Sequence, residues 1–226
     1  MCGRKTLTKD MQSIIEELVI QEWENPDNYL PNYNIAPTQN SPILIDNGKR
    51  TVKQMRWGLI PSWAKNEKFG ARMINARIET LPEKPSYRNL VSSNRCIIIT
   101  DGYYEWKKTG DTKVPYYLKD PDDKLLPMAG LYDVWKHPDG YIIPSYTIIT
   151  KEAQKELSTI HNRMPVILPQ EHLDEWLKTE NFSVAQALEI AKHSKPTLSK
   201  YPVSSLVNSV RNNSPDCVLP VVYIKK

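Results

Sequence analysis

The chain has 226 residues, of which 40% are hydrophobic, and its 30 basic and 26 acidic side chains give a formal net charge of +4. That hydrophobic content supports a buried core and excludes global disorder. The mild positive charge is compatible with nucleic acid but does not demand it. The three cysteines are widely spaced, and no Cys/His ligand spacing accompanies them, so neither a disulfide framework nor a metal site is indicated. No apolar run approaches the roughly 18 residues of a membrane span, and we expect a cytoplasmic protein.

Cys2 directly follows the initiator methionine and becomes the first residue once Met1 is removed. It then carries an α-amine, which titrates near ~8, beside a thiol that titrates near ~8.5. Such a pair can form an imine with an aldehyde, after which the sulfur can close a five-membered thiazolidine. The alternative is a chance cysteine on a frayed terminus.

The first third of the chain predicts one helix and one hairpin. Apolar residues recur at helical spacing over 8–24, with Thr8 as the cap. A polar loop with proline follows over 31–40. The hairpin is predicted from β-branched strands over 42–46 and 51–60, joined by an Asn-Gly turn.

Residues 63–77 mix basic and aromatic side chains. Cations can follow phosphates while aromatic rings stack on bases, so this composition suits a groove for single-stranded nucleic acid. A solvated loop with core tryptophans is the alternative. The basic members are Lys65, Lys68, Arg72 and Arg77, against the single acid Glu67, and they are interleaved with Trp63, Phe69 and Asn75.

Residues 95–106 predict two strand segments that bend at Asp101-Gly102. Alternation places Tyr103 with Glu105 on one face and Tyr104 with Trp106 on the other. A carboxylate held among aromatic rings has a raised pKa and suits a general acid. A glutamate in water at a sheet edge is the alternative for Glu105.

The remaining elements complete an α+β domain over 1–226 that is dominated by antiparallel sheet, with no repeat and no linker. Among the histidines, His161 lies in a mixed polar segment that runs into a strand. The predicted strands cover 114–118, 125–132 and 143–149, with short strand-like pieces at 202–207 and 217–224, and the predicted helices cover 151–158, 170–178 and 183–193, the last capped by Ser183.

Six motifs in order resemble the SOS-response-associated peptidase (SRAP) family of abasic-site processing proteins. The resemblance runs from residue 2 to about residue 168. Each motif is weak alone, but six in the same order are a specific signal. The motifs are Met1-Cys2-Gly3-Arg4, Trp57-Gly58-Leu59-Ile60-Pro61, Asn75-Ala76-Arg77-Ile78-Glu79-Thr80, Gly102-Tyr103-Tyr104-Glu105-Trp106, Ala129-Gly130-Leu131-Tyr132 and His161-Asn162-Arg163-Met164-Pro165.

The resemblance implies an antiparallel, β-rich, barrel-like core with flanking helices, and a covalent thiazolidine between the N-terminal cysteine and the ring-opened sugar of an abasic site. Carried over, Cys2 is the nucleophile and Asn75 positions the sugar. Glu105 handles protons, and His161 acts on the sugar ring, where a side chain that titrates near the working pH is useful. Ile99 stands where the family usually has proline, which affects a bend and not a catalytic position.

The resemblance also implies the partner, single-stranded DNA that contains abasic sites, and no cofactor. We expect a monomer in the cytoplasm, associated with the nucleoid if the source is bacterial. Possible lyase chemistry and an autoprocessing peptidase activity come with the family. The implied DNA contacts are Arg4, Trp63, Arg77, Trp106 and Arg163.

Three other functions fit parts of the sequence. Glutamine amidotransferases with an N-terminal nucleophile also begin Met-Cys-Gly, but the basic segment rich in tryptophan has no role in them. A noncovalent single-strand binding module needs the groove but not the α-amine. A true peptidase would expose Cys2 by cleaving a leader, and here only Met1 precedes it.

Overall fold

The computed structural model describes residues 2–221. Short strands carry most of the fold, and the α-helices are few and short. The strands are β1 (Lys5–Leu7), β2 (Glu22–Trp23), β3 (Asn32–Ile35), β4 (Asn40–Asp46), β5 (Arg50–Trp57), β6 (Asn75–Arg77), β7 (Arg95–Ile98), β8 (Gly102–Thr109), β9 (Thr112–Lys119), β10 (Met128–Lys136), β11 (Ile142–Glu152), β12 (Arg163–Pro165) and β13 (Ser199–Pro202). The α-helices are α1 (Met11–Leu18), α2 (Leu90–Ser93), α3 (Lys155–Ser158), α4 (Leu173–Leu177) and α5 (Val184–His193).

Five strands close into a barrel. β11, β10, β7, β4 and β5 pair in that order by antiparallel ladders, and β5 then pairs with β11 in parallel. Closure leaves the barrel without a free edge between these strands. β2, β6 and β12 add to its outside. The predicted class, α+β with a β-rich, barrel-like core, is confirmed.

A second sheet lies beside the barrel and contains the N-terminal strand. Its order is β13-β9-β8-β1-β3, and every pairing in it is antiparallel. β1 lies in its interior, between β8 and β3. Cys2, which leads into this strand, is therefore not on a frayed end.

The bend predicted at Asp101-Gly102 is where the chain passes from the barrel to the second sheet. β7 ends in the barrel, and β8 begins in the second sheet. The Asp101 carboxylate accepts bonds from the Thr6 hydroxyl and from the Thr8 hydroxyl and backbone. A Cβ on Gly102 would lie 2.1 Å from the Tyr117 hydroxyl, so no larger residue fits. The turn is thus fixed to the first strand of the chain.

The predicted alternation along β8 is confirmed. Tyr103 belongs to the main core, whereas Tyr104 packs in a separate cluster against Trp106. Glu105 is 5% exposed and so lies inward with Tyr103.

The first predicted helix is too long at both ends. Asp10 caps α1 by accepting from the Ser13 backbone, because Thr8, the predicted cap, is bonded to Asp101. The helix stops at Leu18, and Val19 takes a left-handed conformation as its C-cap. Residues 22–23 then pair with β5, so backbone pairing overrides the helical pattern there.

The remaining predicted elements agree with the structure only in part. The hairpin and both C-terminal helices are confirmed, and Ser183 forms a full capping box. Part of the loop over 31–40 is strand β3, and the helix over 151–158 shrinks to α3 because β11 continues to Glu152. The strand-like piece over 202–207 is confirmed only at its start, where Pro202 ends β13 and Val203 forms an isolated bridge with Pro220, because Ser205–Asn208 is a 3-10 turn. The piece over 217–224 begins in the 3-10 turn Pro215–Cys217, and residues 222–224 lie outside the described residues.

No helix within residues 2–221 is long and apolar enough to cross a membrane.

Candidate active site

Cys2 is completely buried at the start of the second sheet. Its backbone carbonyl accepts a hydrogen bond of 2.8 Å from the Asn75 amide, Nδ2. Asn75 opens β6, which pairs with β11 on the barrel. Cys2 is therefore tied to the barrel by the Asn75 side chain.

The surroundings of Cys2 favour a neutral thiol. Burial and, to a smaller extent, the nearby Glu105 carboxylate raise the pKa of the Cys2 thiol to about 12, while the Lys5 ammonium acts in the opposite direction. The Sγ atom makes a long contact of 4.0 Å with the Arg4 carbonyl. A neutral thiol is a poor nucleophile, so its reaction requires that a proton leave.

Asn75 has an acceptor available for a ligand. Its carbonyl oxygen, Oδ1, is buried and has no hydrogen-bond partner among the described residues. A buried amide oxygen without a partner is costly, on the order of 1–3 kcal/mol, and often marks a functional position. The arrangement leaves Oδ1 to accept from a hydroxyl or an amine beside Cys2.

Glu105 provides the carboxyl group of the site. Burial raises its pKa, and the positive charge of His161 acts in the opposite direction. A carboxyl of this kind holds its proton to higher pH than an exposed glutamate, as a general acid requires. The reading of Glu105 as an exposed residue at a sheet edge is wrong.

His161 is held in one tautomer. Its Nδ1 accepts a bond of 3.0 Å from the Arg163 backbone N–H. Because that nitrogen is an acceptor, the neutral ring carries its proton on Nε2. His161 thus offers a hydrogen-bond donor at Nε2, and protonation at Nδ1 would break the bond to Arg163.

An open cleft of about 420 Å³ brings Glu105 and His161 together, whereas Cys2 and Asn75 are not among the residues that line it. Its polar groups include one carboxyl, one imidazole and one cation, next to an indole ring. A small sugar would meet an acid and a donor within it. The cleft is lined by Glu105, Trp106, Lys113, His161 and Asn208.

Arg4 lies beside this cleft and is anchored by its own hydrogen bonds. Its Nη1 donates to Asn34 Oδ1 and to the Val207 carbonyl, both at 2.6 Å. The guanidinium carbon lies 5.9 Å from the centre of the Trp106 ring, a cation–π distance. Trp106 is in turn fixed by a 2.8 Å bond from Nε1 to Asn208. The cation and the indole form one rigid unit.

The other two predicted arginines differ from each other. Arg77 is exposed at the end of β6, two residues after Asn75. Arg163 instead forms a two-point ion pair with Glu79, with N–O distances of 2.7 and 3.0 Å, and also donates to the Thr150 carbonyl. Arg163 therefore holds the His161 segment in place, and its contact with DNA stays a prediction.

Trp63 is on the surface, with 57% of its side chain exposed, and its ring meets Phe69 edge-on at 5.4 Å. The segment that carries both rings is anchored at its base by two glycines. A Cβ on Gly58 would lie 2.6 Å from the Gly70 carbonyl oxygen, and Gly58 has a φ of +120°. The interpretation of Trp63 as a core tryptophan is wrong.

Two polar residues of the site were missed by the sequence prediction. Asn34 fell in a predicted loop, yet it bonds Arg4 and donates to the Val207, Ser209 and Asn212 carbonyls. Asn208 fell in the C-terminal part, which carries no motif. Neither residue has a local signal, because each acts on a partner far away in the chain.

Residues 2–221 hold no group of three or more His, Cys, Asp or Glu side chains placed to bind a metal ion.

Residues 1–210 match the family described as SOS response associated peptidase (SRAP). The match covers most of the chain, and the chain belongs to this family.

Close relatives carry a common name. The abasic site processing protein YoqW of Bacillus subtilis is 44% identical over an alignment of 222 residues. The alignment covers 96% of this chain and 99% of the relative. The abasic site processing protein HMCES of Pongo abelii is 36% identical over 98% of this chain and 76% of its own length. A crystal structure of a protein from Bacteroides thetaiotaomicron superposes with a TM-score of 0.87 at 26% identity, over 98% of this chain and all of that one.

Proposed function

We propose that this protein processes abasic sites in damaged DNA by forming a covalent thiazolidine with them in single-stranded DNA. The nucleophiles are the α-amine and thiol of Cys2 after Met1 is removed. The relatives are named for abasic-site processing, and these names support an abasic site as the lesion on which this protein acts. The bond from Asn75 to the Cys2 carbonyl carries the chemical proposal, because it fixes the first mature residue beside the buried Glu105 carboxyl. The protein acts in the cytoplasm as a single-domain monomer.

The sugar must first open, because an abasic sugar is mostly a closed hemiacetal. Glu105 takes the proton of the C1 hydroxyl. The ring oxygen takes a proton from solvent, and the Nε2–H of His161 stabilises its developing charge. The product is the free aldehyde. Asn75 Oδ1 can accept from a sugar hydroxyl and so orient it for attack.

The amine of Cys2 then adds to the aldehyde and gives a carbinolamine. Glu105 returns its proton to the hydroxyl, which leaves as water, and an iminium ion remains. The raised pKa of Glu105 suits both transfers. The S–H bond of Cys2 breaks and its proton passes to solvent. The sulfur closes the ring by adding to the iminium carbon, and the double-bond electrons return to nitrogen.

Contacts to the strand come from cations and rings around the cleft. The Arg4–Trp106 unit and the exposed Arg77 are placed to meet phosphates and a base. Trp63 offers a further stacking surface.

The test is incubation with a single-stranded oligonucleotide that contains one abasic site, followed by a denaturing gel. We expect a shifted band that needs no reductant, and Cys2→Ala should abolish it while leaving noncovalent binding in place. A variant that retains a residue before Cys2 should also lose the shifted band and keep noncovalent binding. An equally strong, equally stable band from Cys2→Ala would disprove the thiazolidine. The same gel reports strand cleavage, the lyase outcome that an iminium ion also permits.

A further inference from the structure

The hairpin of β8 and β9 extends beyond its neighbours in the second sheet. β8 pairs with β1 at Gly102 and Tyr103, and β9 pairs with β13 from Tyr116 onward. Among the described residues, positions 107–114 pair with each other and with no third strand. They form a two-stranded ribbon that begins next to Trp106, at the rim of the proposed site.

The ribbon carries two lysines on the same face as Trp106. Lys108 follows Trp106 by two residues, so both side chains lie on one face of β8. Lys113 is directly opposite Lys108 in the register, which places it on that face as well. Lys113 also lines the cleft that contains Glu105 and His161. The face therefore leads outward from the proposed site along two cations.

The two lysines are not neutralised within the described part of the chain. Both are exposed, and neither forms an ion pair with a described residue. The one acid of the ribbon, Asp111, lies in the turn beyond the last ladder pair. Like charges directly opposite each other destabilise a ladder. An anion between the two ammonium groups would offset that repulsion, and the phosphates of a nucleic-acid strand are such anions.

We propose that the DNA strand leaves the cleft along this face, on one side of the abasic site, with its phosphates in contact with Lys108 and Lys113. The proposal rests on the proposed function, because the lesion in the cleft fixes where the strand meets the ribbon. Trp106 offers a stacking surface at the rim, and the two lysines continue the contact by neutralising backbone charge. Only one flank of the lesion is involved, because the ribbon leaves the cleft at one rim. The motif that contains Trp106 ends there, and neither lysine belongs to it.

Protection of the ribbon edge would be a different role for these side chains. Lysines on an unpaired edge keep it from pairing with another chain. That role involves no DNA. Lys107 distinguishes the two roles, because it is next to Lys108 in the same strand, lies on the opposite face and pairs with Val114.

Salt titrations of noncovalent binding test the contact. The probe is a single-stranded oligonucleotide with a tetrahydrofuran analogue of the abasic site, which has no aldehyde and cannot crosslink. Fluorescence anisotropy gives the slope of log affinity against log salt concentration. Each phosphate contact that is lost makes this slope shallower by about 0.7. We expect that change for Lys108→Gln and for Lys113→Gln, with weaker binding at low salt.

Lys107→Gln is the matched control. It removes the same charge from the same strand, and we expect it to keep the wild-type slope. A wild-type slope in either Lys108→Gln or Lys113→Gln would overturn the proposal and favour edge protection. An equal change in Lys107→Gln would also overturn it, because the effect would then come from net charge and not from one face.

Oligonucleotides that extend from the analogue in one direction only identify the flank. One extends to the 5′ side and the other to the 3′ side. The double variant Lys108→Gln/Lys113→Gln should make the slope shallower by about 1.4 for one of them and leave the other unchanged. Equal effects on both would exclude a strand path along the ribbon.

Crosslinking of the wild type to an authentic abasic strand is measured separately. If no covalent band forms while the slopes change as expected, the thiazolidine is disproved and the ribbon contact stands. If the band forms and the slopes do not change, the ribbon contact fails and the proposed function is unaffected.

Discussion

The Asn75 side chain donates to the Cys2 carbonyl at 2.8 Å, and this bond joins the two sheets of the protein. Asn75 stands on β6 beside the barrel, whereas Cys2 leads into β1 of the second sheet. Cys2, the proposed nucleophile, is therefore positioned by the packing of one sheet against the other. A change in that packing would move the amine relative to Glu105.

Asn75→Ala should slow crosslinking more than it weakens DNA binding. It removes the bond to Cys2 and the Oδ1 acceptor, and the loss of one or two hydrogen bonds predicts roughly a 10- to 100-fold slower rate. Single-turnover crosslinking and fluorescence anisotropy with abasic and intact strands measure the two effects. Asn75→Asp, which keeps the shape and loses the donor, is the control. An equal loss of rate and affinity would mean that Asn75 only binds DNA.

Glu105→Gln should slow crosslinking by about 100- to 10,000-fold, because an amide can hydrogen-bond but cannot transfer the proton. The pKa of Glu105 is raised by burial, so its acid form persists above the usual range for glutamate. In the wild type the dehydration step should slow as pH rises through that raised pKa. Rates from gel quantification across pH give the profile. A Glu105→Gln variant with the wild-type profile would exclude Glu105 as the acid.

Trp63→Ala should weaken binding to single-stranded DNA without affecting the fold. The loss of one stacking contact predicts roughly 10-fold lower affinity or more. Because Trp63 is 57% exposed, the melting temperature of the variant should stay close to that of the wild type. Tyr141→Ala removes an exposed ring from the turn between β10 and β11 and is the comparison. Equal affinities for both variants would argue against a DNA contact at Trp63.

Glu79→Gln should strengthen DNA binding at low salt. It removes the negative charge that pairs with Arg163, and one added unit of net positive charge predicts a gain of roughly 2- to 5-fold and a steeper dependence on salt. Glu22→Gln breaks the ion pair with Lys49 and serves as the matched variant. Salt titrations of anisotropy compare them. An unchanged slope for Glu79→Gln would place Arg163 away from the strand.

Lys5→Met should stabilise the protein at acidic pH. The folded-state pKa of Lys5 is about 7, far below its unfolded value of ~10.5, so folding costs free energy below pH 7 and the cost fades as pH rises toward ~10.5. We expect a gain on the order of 3 kcal/mol near pH 6 and little near pH 10. Urea melts at several pH values measure it. A gain that does not depend on pH would mean that burial leaves the pKa of Lys5 at its unfolded value.

Motifs in the sequence located most of the proposed site, but not how it is held together. Cys2, Glu105 and His161 could be singled out because each residue type has a distinctive chemistry. Alternation along β8 then correctly placed Glu105 on the same face as Tyr103, but it left open whether that face is buried. The burial of Glu105 depends on β1 and β9 beside it, which no local pattern shows.

Long-range contacts explain the errors. Thr8 looks like a helix cap, but it bonds Asp101, which lies far along the chain. The sequence also does not show the ion pair between Arg163 and Glu79, and the contact of Arg163 with DNA stays a prediction. No sequence pattern around Lys5 marks this residue as unusual, because only its complete burial in the fold does so.

The close approach of Gly58 and Gly70 has a consequence for how this protein can change. Neither position can accept a side chain without moving the other's backbone. Between them, Leu59, Ile60 and Ala64 are buried in the core, whereas Trp63 and residues 65–69 are exposed or half-buried. Trp63 and residues 65–69 can therefore be exchanged while the backbone crossing at the two glycines stays as it is, so that the proposed contacts with DNA could change without altering the surroundings of Cys2.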